Sequence, residues 1–168
     1  MIEIIQVTTP EPIDTVRALM RAFVAWHRLR HTEDIALIDR YFDVRDFEQE
    51  LAGLPGKYAP PKGRLLLASM TGQAAGCVAL YDLGNGICEM KRMFVPPGLH
   101  GQGIGRALAD RILSEAKAAG YACMRLDTSI RQVEAIRLYE SRGFVRTDPY
   151  YPLPDALKNW LVFMELRL

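Results

Sequence analysis

Apolar positions along the chain fall into two regimes, short strand-like runs and longer stretches at helical spacing. Ile2–Val7 reads as a first strand. From Thr9 or Asp14, either of which can cap a helix, Val16, Leu19, Met20, Phe23 and Trp26 recur at helical spacing and predict a helix to about Arg28. A second helical pattern runs from about Ile35 to Leu51, and LPGKYAPPKG after it reads as a loop. Leu65–Met70, Ala74–Leu83 and Ile87–Val95 are strand-like and are separated by the tight turns TGQ and GNG. The helical patterns Arg106–Ala119 and Val133–Arg142 each stop at a glycine, Gly120 and Gly143. Strand-like runs at Cys123–Thr128, Phe144–Arg146 and Trp160–Arg167 complete the pattern, with the loop TDPYYPLPD before the last.

The order of these elements predicts how they pair. Runs joined by tight turns are antiparallel. The strand–loop–helix–strand unit after Ile87 is a crossover, which makes its two strands parallel. The expectation is one α/β (α+β) domain over residues 1–168. It has a mixed, mostly antiparallel sheet of roughly six to seven strands flanked by about four helices.

Composition narrows the function classes. The 168 residues are 49% apolar and 24% charged, with a net charge of +1. That near balance, without a basic stripe, argues against a nucleic-acid partner. No apolar run is long enough to span a membrane. The opening MIEIIQVTTPEP lacks the basic and apolar regions of a signal peptide. Cys77, Cys88 and Cys123 are dispersed and sit in apolar runs, as reduced core thiols of a cytoplasmic protein would. His27, His31 and His100 lack metal-ligand spacing, although the first two are four residues apart, so no metal is expected.

The chemistry concentrates in FVPPGLHGQGIGRAL, residues 94–108, where Gly98, Gly101, Gly103 and Gly105 stand at the mouth of a helix. The first turn of a helix has unpaired amides and a partial positive charge. Glycines let a phosphate come close to them. Arg106, at the helix start, could reach the same phosphate. A Walker loop would need Lys-Ser or Lys-Thr, which is absent. The dinucleotide fingerprint G-x-G-x-x-G fails at its third glycine, where Arg106 or Leu108 stands. Asp127 does end the next strand, where a ribose-binding acid would lie, yet the chain opens with hairpins rather than repeated crossovers.

Three stretches together resemble the GNAT superfamily of N-acetyltransferases. HGQGIG (His100, Gly101, Gln102, Gly103, Ile104, Gly105) is similar to that family's motif A, usually [Q/R]-x-x-G-x-[G/A]. EMKRMFV resembles its fourth strand. AIRLYESRGF matches A-x-x-L-Y-x-x-x-G-F at Ala135, Leu138, Tyr139, Gly143 and Phe144. The resemblance covers about residues 87–145. His100 stands where Arg or Gln is usual, and Gln132 where the family often has Asn.

The resemblance implies acetyl-coenzyme A as donor and a primary amine of a small molecule or peptide as acceptor; with no cysteine placed as a carrier, direct transfer of acetyl is expected. The pantetheine arm would pair with Met93, Phe94 and Val95, and an amide near Met93 would face the thioester oxygen. Gln132 would contact the same arm. Glu89 is the candidate general base and Tyr139 the candidate general acid. Strict alternation places Glu89 on the face of Lys91, Met93 and Val95 unless a bulge intervenes. Acceptor candidates are Trp26, His31, Glu33, Asp34, Asp148, Tyr150 and Tyr151, whose acids and aromatics suit a cationic amine. The family's frequent dimers allow a homodimer. The rival readings are a non-catalytic coenzyme A-binding regulatory module and a nicotinamide-dependent oxidoreductase.

Overall fold

In the computed structural model, which describes residues 1–168, the chain begins with β1 (Ile2–Gln6) and helix α1 (Pro10–Arg30). Helices α2 (Ile35–Tyr41) and α3 (Val44–Ala52) follow, then β2 (Arg64–Met70), β3 (Gln73–Gly84) and β4 (Ile87–Phe94). Helix α4 (Ile104–Ala118) crosses over from β4 to β5 (Cys123–Ser129), and helix α5 (Val133–Ser141) follows. The chain closes with β6 (Val145–Thr147), the short helix α6 (Asp155–Lys158) and β7 (Leu161–Arg167). One seven-stranded sheet has the order β1-β2-β3-β4-β5-β7-β6. Every neighbouring pair is antiparallel except β4 and β5, which are parallel. The expected mixed sheet is therefore present.

Both faces of the sheet are covered, which is why the strands read as near-continuous apolar runs. In β2, Leu65 and Leu67 join the core under α1, α2 and α3, while Leu66 and Ala68 join the core under α4 and α5. Two boundaries differ from expectation. The helix expected from Ile35 to Leu51 breaks after Tyr41, because Asp43 caps a new helix by accepting from the Asp46 amide at 3.1 Å. Helix α1 runs on to Arg30, so His27 lies in its last turn and His31 at its cap. The loop after α3 holds a single 3-10 turn, Gly56–Tyr58, that buries Tyr58 completely. No helix is long and apolar enough to cross a membrane.

Candidate active site

The parallel pair in the centre of the sheet is short. β4 and β5 match only at Ile87–Cys123, Cys88–Met124 and Glu89–Arg125. Beyond that point they separate, and the backbone groups along both inner edges have no strand to pair with. A bulge in β4 accompanies the split. On β3, Cys77 and Ala79 are two apart, but their partners Phe94 and Lys91 are three apart. Arg92 sits in the bulge at φ 60°, a left-handed conformation. Its guanidinium donates to both oxygens of Glu50, at 2.9 and 3.3 Å, and lies 5.2 Å from the Phe42 and Phe47 rings. That anchorage offsets the roughly 1–3 kcal/mol cost of the strained backbone.

The bulge corrects one expectation. Lys91 pairs with Glu89 and reaches Tyr41 of α2, but Met93 and Val95 pack with the α4 core on the opposite face. Phe94 belongs to the core under α1.

The split leads into the glycine loop. Gly101 (φ 82°) and Gly103 (φ 84°) are left-handed, and Gly103 is the N-cap of α4. No side chain caps that helix, so its first amides remain open. Gly98 has ordinary backbone geometry, and a methyl at Gly105 would make only ordinary contacts with Leu138 and Val95, at 3.6 and 3.8 Å. Backbone conformation therefore demands two of the four glycines. The exposed Gln102 lies between those two, while Ile104 at the helix start is buried in the α4 core. The His100 ring does not extend outward as the usual Arg or Gln could. Its Nε2 bonds the Val95 carbonyl at 2.7 Å, and the ring meets Trp26 edge-on at 6.0 Å. Gly103, Arg106, Val95, Gln132 and Leu138 line one groove, with Trp26 at its side. Gln132 is 7% exposed and its Nε2 is buried with no partner. An orphaned donor beside open helix amides fits a phosphorylated ligand with an amide-bearing arm.

The groove shares Phe23, Met93, Gln132 and Ala135 with an inner cavity whose wall also includes Tyr139, Asp127, His27, Tyr41 and Trp160. Tyr139 is 6% exposed. Burial first, then the Asp127 carboxylate and Tyr41, push its hydroxyl well above the ordinary phenol range, so it keeps its proton.

Behind this cavity lies a polar cluster. The Lys91 ammonium reaches Glu89 at 3.1 Å, Asp127 at 3.4 Å and the Tyr41 oxygen at 3.0 Å. Asp127, its side chain fully buried, also accepts from Tyr41 and, at 2.8 Å, from Tyr151. Glu89 accepts from Tyr81 at 3.0 Å and from Tyr150 at 2.5 Å. Two carboxylates thus share one ammonium. Glu89 does not line the inner cavity; it borders a separate cleft between Tyr81 and Tyr150.

The structure gathers Tyr150 and Tyr151 into this cluster. It places Asp34 elsewhere, accepting from Arg131 at 2.7 Å and from the Trp160 indole at 3.1 Å. Glu33 joins Arg131 at 3.5 Å, and Asp148 is exposed on the loop before α6. Sequence reasoning missed Tyr41 and His27 as cavity residues and considered Asp127 only as a ribose contact. Tyr41 and Asp127 are 86 positions apart, and no local spacing joins them. No group of three His, Cys, Asp or Glu side chains could hold a metal ion.

The chain is similar to known proteins. The profile of the acetyltransferase (GNAT) family matches residues 23–144. An uncharacterised N-acetyltransferase of Schizosaccharomyces pombe is 40% identical over 128 residues, 74% of this chain and 76% of its own. An IAA acetyltransferase of Azospirillum brasilense is 42% identical over 66% of this chain and 71% of its own. The PaiA N-acetyltransferase of Thermoplasma acidophilum, solved in complex with coenzyme A, has the same fold, with a TM-score of 0.73 at 17% identity over 100% of this chain and 99% of its own. The chain belongs to the GNAT family of acetyltransferases.

Proposed function

We propose that this protein, as one domain, transfers acetyl from acetyl-CoA directly to a primary amine. One observation carries the reading: the split between β4 and β5 runs from the uncapped start of α4 to the Tyr139 cavity. The α4 amides and Arg106 bind the pyrophosphate, and Gln132 and the free edge of β4 hold the pantetheine arm. The amide near Met93 stabilises the oxyanion, and Tyr139 protonates the leaving sulfur. Glu89 stands behind Lys91. With Asp127 it leaves the cluster one negative charge in excess, which attracts a cationic acceptor. Direct transfer is supported by the thiols: burial pushes both Cys77 and Cys88 up to about 12, and none of the three cysteines lines the cavity.

Melting with acetyl-CoA, coenzyme A and NAD in parallel tests the donor. At about 100 times its dissociation constant a ligand adds roughly 2.7 kcal/mol, a rise of about 5–11 °C for a chain of this size. A rise with both coenzyme A forms and none with NAD is expected. No rise with either coenzyme A form sinks the proposal.

Gly103→Val checks where the donor binds. A Cβ there meets nothing within 4 Å and projects into open space, and the left-handed backbone is strained by a side chain. Acetyl-CoA affinity should fall by about 100-fold or more, the loss of two charge-assisted hydrogen bonds. Calorimetry well below the melting point measures it, and near-normal affinity would show that the pyrophosphate lies elsewhere.

A further inference from the structure

His27 is the one imidazole in the wall of the inner cavity, and nothing above uses it. It is 2% exposed, and its buried Nδ1 has no hydrogen-bond partner. The ring is held on three sides. It stacks on Trp160 at 5.8 Å and 25°, meets His31 edge-on at 5.1 Å, and leans on Phe23 at 6.1 Å. A buried polar nitrogen without a partner is costly to keep, and the residue that carries it lines the cavity from the last turn of α1. Glu89, by contrast, has both oxygens engaged by Tyr81, Tyr150 and Lys91 and lies outside the cavity. Asp127 is in the cavity, but two tyrosine hydroxyls and Lys91 already engage both of its oxygens.

Resting on the acetyltransferase reading, we infer that His27 is the general base, the group that takes the proton from the nitrogen of a primary ammonium acceptor seated between Asp127 and the aromatic wall. The acceptor enters as R–NH₃⁺, drawn by the excess negative charge around Asp127. His27 takes one proton, and the freed lone pair forms the C–N bond at the thioester carbon. When the tetrahedral intermediate collapses, the C–S bond breaks and the sulfur leaves with its electron pair. It takes the Tyr139 proton, which the second proton of the nitrogen replaces. The products are an amide, a thiol and one proton, which His27 returns to solvent.

The surroundings keep the ring neutral and ready to accept. Burial holds His27 below the ordinary imidazole value; its own backbone and Asp34 work against that, and His31 and Arg30 push the same way as burial. From the other elements, Tyr41, Lys91, Asp127 and Tyr139 share the cavity wall with it.

The test follows thiol release from acetyl-CoA by the full chain from about pH 5.5 to 9.5. The acceptors are a pool of 2-phenylethylamine, putrescine, ethanolamine and glycinamide, and calorimetry follows acetyl-CoA affinity alongside. Wild-type kcat should be level at neutral pH and drop on an acid limb below the ordinary imidazole pKa. His27→Gln should keep its acetyl-CoA affinity and lose about 10²- to 10⁴-fold in kcat at pH 7. Its remaining rate should climb with pH toward the pKa of the amine, since only free amine then reacts. His27→Asn replaces it should the glutamine variant not fold. A variant that loses no rate, or loses the same factor at every pH, overturns the inference. Wild-type protein that binds acetyl-CoA yet acetylates no amine in the pool also overturns it. Failure to bind acetyl-CoA overturns the proposed function instead.

Discussion

Tyr139→Phe lowers turnover by about 10²- to 10⁴-fold, the usual worth of a positioned proton donor, and leaves acetyl-CoA affinity nearly unchanged. The substitution deletes one oxygen from a ring that packs against Phe144 at 5.9 Å, so the wall of the cavity keeps its shape. The hydroxyl is buried beside an anion, and both conditions keep it protonated up to the step in which the C–S bond breaks. The departing thiolate takes that proton as the second proton of the nitrogen passes to the phenol oxygen. The effect falls on kcat because the proton is needed only as the C–S bond breaks. Parallel kinetics and calorimetry on the variant separate the two quantities. An unchanged kcat removes the acid role. A loss of donor affinity of the same size as the loss of rate would mean that the ring positions the arm instead.

Lys91→Met destabilises the fold by about 3–5 kcal/mol, because it leaves Glu89 and Asp127 buried without their shared cation. For a chain of this size the melting point drops by about 6–20 °C. The sign of the pH dependence follows from the shift of the ammonium. Burial works against its charge, but Tyr41, Asp127 and Glu89 outweigh burial and raise its pKa well above the ordinary lysine value. A raised cation stabilises the fold fully below the unfolded value of about 10.4 and loses that contribution as pH climbs through the folded value. Wild-type protein should therefore show no Lys91-dependent loss between about pH 6 and 9. Urea titration of wild type and variant at pH 7 gives the difference. A cost under about 1 kcal/mol, the range of an exposed pair, would show that water reaches the cluster.

The parts of the molecule written in local sequence were legible in it. Gly101 and Gly103 mark a left-handed entry to a helix, and few other residues can stand there. The order of strands and turns gave the one parallel pair. The α2–α3 break was also written locally, in Asp43 and Asp46, but the apolar positions continued across it and masked the cap. Other features depend on partners far away in sequence. The bulge is held by Glu50, 42 positions from Arg92. The Tyr41–Asp127–Lys91 contacts cross three elements. His27 looked like an isolated histidine near a helix end. Only the packing of α1 over the split sheet shows that it faces the cavity.

Three residue pairs hold β4 to β5, and past them the two strands part and leave a gap in the sheet. In the proposed reading, the pantetheine arm fills that gap as a strand would. The central ladder of the fold is then made partly of a consumable and is dismantled and rebuilt at every turnover. Holding the product and stiffening the two halves of the sheet draw on the same hydrogen bonds, so selection cannot adjust one without moving the other. A sequence that welded the seam shut would gain rigidity and lose its place for the donor.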